Sequence, residues 1–144
     1  MTQLSFFLET NAPTHNIEVE VKLDQQLIFF GPVQEKTKIS CNIDDAIETA
    51  HELSITMLGK TVQDTSIDTN GNIVKDVVVL ASEFNFDEIN IDQLCYQHAL
   101  YQHNYNGSGA NVQKQFYGTM GCNGTVTFKF SSPVYVWLLE NMWP

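Results

Sequence analysis

A chain of 144 residues is long enough to bury a core of its own, and we expect one domain over residues 1–144. Its 17 acidic residues outnumber its 7 basic residues, all of them lysine, and the formal net charge of −10 excludes nucleic-acid binding because it repels phosphate backbones. No run reaches the about 18 apolar residues of a membrane span, and the first residues lack the basic and apolar regions of a signal peptide, so we expect no membrane insertion. Cys41, Cys95 and Cys122 share no metal-binding spacing, and we expect reduced thiols.

Alternation of apolar and polar residues is the strongest periodic signal in the chain, and it predicts half-buried antiparallel strands. The alternation runs through residues 16–24, 37–43, 51–58 and 126–130. A continuous apolar run at 77–80 predicts a more central strand, because a strand covered on both faces needs no polar residue. Residues 84–91 predict two further short strands that break at Asp87 and Glu88.

Turn signals separate these strands, whereas helix signals are weak. Asn70-Gly71 tolerates positive φ at both positions and predicts a hairpin, and Phe-Gly-Pro at 30–32 predicts another turn. Only residues 44–50 and 137–142 could form short helices. The sequence therefore predicts an all-β protein, a single-domain antiparallel β-sandwich for which a jelly roll fits best, with at most one or two short helices.

Residues 96–117 hold four of the five tyrosines, and no carboxylate occurs from 93 to 139. The tripeptide Tyr-Gln-His occurs twice, at 96–98 and 101–103, and glycine- and asparagine-rich turns follow. Aromatic faces, amides and glycine turns suit a neutral polyhydroxylated ligand. We expect ligand contacts from Tyr101, His103, Tyr105, Asn106 and Tyr117. The alternative is a surface loop whose tyrosines pack beneath it and whose amides cap its turns.

Catalysis is disfavoured by what this segment lacks. A glycosidase needs two carboxylates across the scissile bond, and the tyrosine-rich segment supplies none. The chain has no nucleophile-elbow, zinc-protease or phosphate-loop motif. His98 and His103 are five residues apart, which places them on different faces of a helix or a strand. We therefore expect a protein that is not an enzyme, with no catalytic residue.

One acidic segment could hold a hard cation. Asp68, Asn70, Asn72 and Asp76 offer oxygen ligands of the type that calcium prefers. The glycine comes too early for an EF-hand loop, and Val79 stands where that loop requires glutamate. A hairpin turn is the favoured interpretation, and the cofactor expectation is either none or Ca²⁺ at these four residues.

A family resemblance covers roughly the C-terminal two thirds of the chain. Its motifs are His51-Glu-Leu-Ser-Ile-Thr-Met-Leu-Gly-Lys60, Asp68-Thr-Asn-Gly-Asn-Ile73 with Asp76, the segment 84–94, Tyr101-Gln-His-Asn-Tyr-Asn-Gly107, Phe116-Tyr-Gly-Thr-Met-Gly-Cys-Asn-Gly124 and Pro133-Val-Tyr-Val-Trp-Leu-Leu-Glu-Asn-Met142. With these the chain resembles small jelly-roll β-sandwich proteins of tailed phages from marine and cyanobacterial hosts. Such proteins are similar to carbohydrate-binding modules, some of them assisted by calcium.

The resemblance implies a virion component on the tail or the capsid surface, assembled in the host cytoplasm. It would adhere to host or environmental glycans, with a neutral glycan, other virion proteins or further copies of itself as partners. The alternative is a purely structural capsid decoration or tail subunit whose aromatic segment packs against neighbouring subunits. The apolar C-terminus at 137–143 suits that alternative as an anchor.

Overall fold

The computed structural model describes residues 1–11 and 17–142, apart from the side chain of Val62. This part of the chain forms thirteen strands, two α-helices and one short 3-10 helix at Val62–Asp64. The strands are β1 (Thr2–Thr10), β2 (Glu18–Leu23), β3 (Gln26–Pro32), β4 (Thr37–Ile43), β5 (Thr49–Leu58), β6 (Thr65–Ile67), β7 (Ile73–Asp76), β8 (Val79–Phe86), β9 (Ile89–Asn90), β10 (Leu100–His103), β11 (Val112–Gln115), β12 (Thr119–Met120) and β13 (Gly124–Ser132). The helices are α1 (Asp92–His98) and α2 (Val134–Met142).

Two antiparallel sheets face each other across the core. One has the order β12-β8-β1-β4, with β9 also paired to β8, and the other has the order β11-β10-β13-β5-β2-β3. The chain passes between the two sheets repeatedly, as it does in Greek-key sandwiches and jelly rolls. The β6–β7 hairpin forms a separate two-stranded ribbon. The predicted fold class, an all-β antiparallel β-sandwich with at most two short helices, is confirmed.

The core follows from the alternation seen in the sequence. Alternate residues of β1, β2, β5 and β13 are almost fully buried, and together with β8 they form one apolar cluster. The Phe86 and Phe130 rings meet edge to face across the two sheets with centroids 5.1 Å apart, and Phe6 stacks on Phe84 at 4.9 Å. Burying each such side chain contributes about 1.5–3 kcal/mol, so these layers fix the sandwich.

Two local predictions are wrong. No helix forms over residues 44–50: residues 44–48 form a turn, in which the Asp44 carboxylate accepts the Ala46 N–H (2.9 Å) and so competes with helical hydrogen bonds. Thr49 already belongs to β5, where it pairs with Ser132. The expected turn at 30–32 is part of β3, with Gly31 paired to Val19 in the ladder. The hairpin at 69–72 is present between β6 and β7.

The helices differ from the sequence prediction in number and length. Helix α1 was not predicted: the Asn90 side chain accepts the N–H of Asp92 at its start (3.1 Å), and its buried face consists of Leu94 and Cys95. Helix α2 is longer than the expected turn at its end. The Asp45 carboxylate accepts the N–H of its first residue, Val134 (2.8 Å). In the described residues, neither helix has the length and hydropathy to cross a membrane.

Candidate functional site

The second Tyr-Gln-His tripeptide lies on β10, between β11 and β13. Strand geometry sends alternate side chains to opposite faces, so Tyr101 and His103 point inward and Gln102 points outward. Gln102 has Gln113 on one side and Thr125 on the other as cross-strand neighbours. Both predicted contact residues on β10, Tyr101 and His103, therefore lie on its inward face.

Tyr101 belongs to the core, with 4% of its surface exposed. Its hydroxyl donates to the carbonyl oxygen of Cys122 and accepts the Cys122 N–H (2.9 Å). Burial raises the pKa of Tyr101 to about 12, so the phenol keeps the proton that it donates. The expectation that Tyr101 presents its ring to a ligand does not fit this burial, and the residue instead holds the 121–124 segment in place.

His103 is also buried, with 6% exposed, and its ring lies between two tyrosines. The ring centroids of Tyr101 and Tyr105 are each 4.8 Å away. Its Nδ1 accepts the backbone N–H of Tyr105 (3.1 Å). Burial, and then the charge of Lys114, lower the pKa of His103, so it is neutral at pH 7 and orders the turn that follows β10.

The turn after β10 is fixed by side chains of its own. Tyr105 and Asn106 have φ of 55° and 59°, a left-handed conformation that costs about 1–3 kcal/mol for residues other than glycine. Hydrogen bonds hold it: the Asn104 side chain accepts the Gly107 N–H (2.8 Å), and the Asn106 side chain accepts the Asn123 N–H (2.7 Å). The Tyr105 side chain is left half exposed at the tip. The side-chain carbonyl of Asn106 is occupied by its hydrogen bond to the Asn123 N–H.

A groove of about 550 Å³ lies beside this hairpin, and we name it the amide groove. Its lining residues are Gln102, His103, Asn104, Asn111, Val112, Gln113, Asn123, Gly124 and Thr125. Gln102 donates to Gln113 across the strands (2.8 Å), which orients both amides. None of the lining residues is acidic. Five amides with paired donors and acceptors can bind the hydroxyls of a polar neutral molecule.

A second groove of about 430 Å³ shares His103 with the first, and we name it the lysine groove. It is lined by Tyr101, His103, Lys114, Gln115, Tyr117, Thr119, Gly121 and Cys122. Strand β11 is the edge of its sheet, so Lys114, which pairs with Tyr101, stays exposed. Tyr117 is 68% exposed, and its hydroxyl donates to Gln115 (3.0 Å).

Lys60, which the sequence did not predict as a site residue, bonds one lining residue of each groove, Asn123 and Gly121. Lys60 and Asn123 exchange two hydrogen bonds of 2.9 Å between backbone and side-chain amide. The buried Lys60 ammonium donates to Asp76 (2.6 Å) and to the carbonyl oxygen of Gly121 (2.5 Å). No local signal could have found this contact, because 63 residues separate Lys60 from Asn123.

Both carboxylates among the four candidate calcium ligands are engaged in other contacts. Asp68 accepts the N–H groups of Asn72 and Asn70 (both 2.9 Å), and these bonds lower the pKa of its carboxyl, that of Asn72 most strongly. Asp76 accepts from Lys60, as above, and from Thr65 (2.8 Å). Over residues 1–11 and 17–142, no three Asp, Glu, His or Cys side chains come together as a metal-binding group. Calcium binding here stays a prediction.

A further polar cluster is centred on His51, and the sequence did not predict it either. Its ring nitrogens lie 2.6 Å from Asp24 and 2.9 Å from the Ser132 hydroxyl, the spacing of a hydrolytic triad. The Ser132 proton, however, goes to the carbonyl oxygen of Ile47, and Ser132 is only 5% exposed. A nucleophilic serine donates to its histidine, so this cluster joins β5, β13 and the β2–β3 turn and does not present a nucleophile.

Comparisons with known proteins point to the fold alone. No protein-family model matches the chain, and no curated protein matches it. Among solved structures, the chain is similar to a carbohydrate-binding module, vCBM60 in complex with galactobiose, with a TM-score of 0.51 and 8% sequence identity. The match covers 88% of this chain and 96% of that one. The protein therefore has a β-sandwich of the carbohydrate-binding-module type.

Proposed function

We propose that this protein is a non-catalytic glycan-binding module displayed on a phage particle, where it adheres to host or environmental glycans. The observation that carries the proposal is the amide groove, a concave surface with five amide side chains and no acid. The fold shared with vCBM60, whose structure contains galactobiose, supports a sugar as the ligand. The phage setting is supported by the sequence motifs that resemble small virion β-sandwich proteins.

The groove matches the two kinds of surface on a sugar. Gln102, Gln113 and Asn123 can donate to and accept from ring hydroxyls. The half-exposed Tyr105 ring at the hairpin tip can cover the C–H face of one sugar unit. Sites of this kind reach sub-millimolar affinity, and several copies on one particle raise it by avidity.

The chemistry of the linings supports binding rather than cleavage. Neither groove contains an aspartate or glutamate, whereas glycoside hydrolysis requires a carboxylate pair about 5–9.5 Å apart. His103 lines both grooves, but its acceptor nitrogen is engaged by Tyr105. The residues that would contact the glycan are Tyr105, His103 and Asn106 beside the amide groove, with Tyr117 across the hairpin and Tyr101 as a support.

A glycan array with the wild type and Tyr105→Ala tests the proposal. We expect binding to galactose-containing oligosaccharides that Tyr105→Ala weakens about tenfold, because it removes the ring face. Tyr135→Ala is the matched control, since Tyr135 is also exposed (63%) but lies on α2. Binding that Tyr105→Ala leaves unchanged would remove this hairpin as the site. Repeating the array with EDTA tests the calcium prediction at Asp68, Asn70, Asn72 and Asp76.

The alternative, a structural subunit of the particle, is favoured by a different surface. Helix α2 exposes Tyr135, Leu139 and Met142, while Trp137 beside them is buried in the core. Residue 143 of the expected C-terminal anchor lies outside the described residues. If labelling of the assembled particle leaves Tyr105 and Tyr117 covered by neighbouring subunits, the structural role replaces adhesion.

A further inference from the structure

We propose that the lysine groove is a second sugar subsite, which accepts an anionic sugar unit by pairing its acid group with Lys114 and covering its ring with Tyr117. This inference rests on the proposed function, since it assigns a glycan to the protein. It goes beyond that function by giving the ligand a charge and by using a second groove beside the neutral amide groove.

The charge of the groove differs in sign from that of the protein. The formal net charge of the chain is −10, yet none of the eight lining residues is acidic and Lys114 is a cation. In the described residues, Lys114 has no acidic partner, in contrast to three other lysines. Those three are paired as Lys22–Glu20, Lys36–Glu83 and Lys60–Asp76. An anion is therefore the group that this groove can neutralise.

The Lys114 charge acts inside the groove. Lys114 lies opposite Tyr101 in the ladder, on the face of β11 that turns toward His103. After burial, its charge is the second cause that lowers the pKa of His103. Lys129 provides the contrast: it lies on β13 and pairs across strands with Glu52, away from both grooves. The position of the Lys114 ammonium thus places positive potential where a ligand would enter.

The rest of the groove suits a sugar ring. Its volume of about 430 Å³ lies within the roughly 300–1,000 Å³ of small-ligand sites. Tyr117 offers an aromatic surface that is 68% exposed, and its hydroxyl is held by Gln115. Thr119, another lining residue, adds a hydroxyl. The acid closest to Gly121 through the hydrogen bonds of Lys60, Asp76, is paired with the Lys60 ammonium (2.6 Å). Repulsion from acids farther away is screened beyond about 10 Å at 0.1 M salt, so the contact with Lys114 decides the sign of the interaction.

Three disaccharides of one linkage test this: the galactose form, its galacturonate analogue and a sulfated analogue. Calorimetry at 0.15 M salt is expected to give about threefold to tenfold tighter binding for the acidic forms than for the neutral form. Comparing uronate with sulfate identifies which acid the groove takes. Lys114→Gln should abolish the preference and keep neutral binding, whereas Lys129→Gln should leave the preference unchanged.

Cys122 gives a readout specific to this groove, because it is one of the lining residues. Burial raises the pKa of Cys41 to about 11 and that of Cys95 to about 12, so both thiols react slowly at pH 8. We expect the galacturonate disaccharide to slow alkylation of Cys122 by iodoacetamide several-fold in the wild type. In Lys114→Gln the same sugar should give no protection.

The outcomes separate the two proposals. Neutral binding without an acidic preference, or a preference that survives Lys114→Gln, overturns the anionic subsite and leaves the proposed function standing. If only the acidic forms bind, and their binding depends on Lys114, the anionic subsite is supported and a neutral glycan is excluded as the ligand. Absence of binding by all three sugars overturns both. Lys114 is exposed, so the variant is expected to keep its thermal midpoint, which checks that it is folded.

Discussion

The two copies of Tyr-Gln-His show how far the fold, rather than the residue, sets chemistry. The first copy, 96–98, lies on α1, with Gln97 and His98 exposed and the His98 ring against Trp137 (5.6 Å). The second copy, 101–103, lies on β10, with only its glutamine exposed. Two residues separate the copies, yet the helix gives a peripheral patch and the strand builds both grooves. Identical side chains can therefore be tested pairwise.

Each copy rests against a glycine, and substitution there should give the largest contrast. An added Cβ at Gly124 would overlap the Gln102 carbonyl oxygen and approach the His103 Cβ to 2.8 Å, both of them rigid strand atoms. We expect Gly124→Ala to lower the free energy of unfolding by about 3 kcal/mol or more. Urea denaturation measures it. Wild-type stability in this variant would show that β10 and β13 are not closely paired.

Gly118→Ala is the matched substitution behind the first copy. Its Cβ would meet the movable Tyr96 hydroxyl at 3.1 Å, and the main cost comes from the φ of 99°. A loss of about 1–2 kcal/mol is expected from that conformation. A larger loss than for Gly124→Ala would mean that the backbone behind the first copy, and not that beside the second, tolerates an added Cβ less well.

The second-largest difference is expected between the hydroxyls of Tyr101 and Tyr96, in their contribution to the free energy of unfolding. Tyr101→Phe removes a group that both donates to and accepts from Cys122, so it leaves two backbone groups without a partner. We expect a loss of about 1–3 kcal/mol in the free energy of unfolding. Tyr96→Phe removes a hydroxyl from a half-buried ring that packs on Phe116 (6.3 Å), and about 0.5 kcal/mol is expected. Equal losses would mean that the Tyr101 hydroxyl does not hold the 121–124 segment in place.

The histidines should differ in the pH dependence of stability. Burial and Lys114 lower the pKa of folded His103 below the usual value of about 6.5, so the unfolded chain binds a proton more readily. His103 therefore contributes stability fully above about pH 6.5, and this stability is lost as pH falls through the folded pKa. His103→Asn, which keeps an acceptor for the Tyr105 N–H, should flatten that loss between pH 7 and 5.

His98→Asn serves as the control for this pH effect, since His98 is exposed on α1. The free energy of unfolding of this variant should change with pH in the same way as that of the wild type. A pH profile that His103→Asn leaves unchanged would assign the acid sensitivity to groups elsewhere in the protein.

Sequence patterns predicted the strands, because strand formation here depends on residues that are close together in the chain. Alternation located β2, β4, β5 and β13, because a one-sided strand needs a period of two. The prediction of a helix at 44–50 failed because the Asp44 side chain caps a turn there, and the composition of this segment suits a helix as well as a turn. Sequence patterns also missed α1, whose first turn depends on the Asn90 side chain and whose seven residues are too few for a periodic signal.

The site could be predicted only in part. Composition singled out the aromatic segment, and the structure places His103 and Tyr117 in the linings of grooves. That these residues contact a ligand stays a prediction. Which tyrosines face inward depended on the registry of β10, and the Lys60–Asn123 contact closes a separation of 63 residues. Contacts of that range arise from sheet order, which no local pattern in the chain encodes.

The glutamines should give the smallest effect on stability and the clearest effect on binding. Gln102 and Gln97 are both exposed, so replacing either with alanine should change the free energy of unfolding by less than about 0.5 kcal/mol. Gln102 lines the amide groove and Gln97 does not. Losing one sugar hydrogen bond should weaken binding of the neutral disaccharide about threefold to tenfold in Gln102→Ala, by calorimetry. If instead both variants bind like the wild type, the amide groove is not the neutral site, since its central amide would then contribute nothing to affinity.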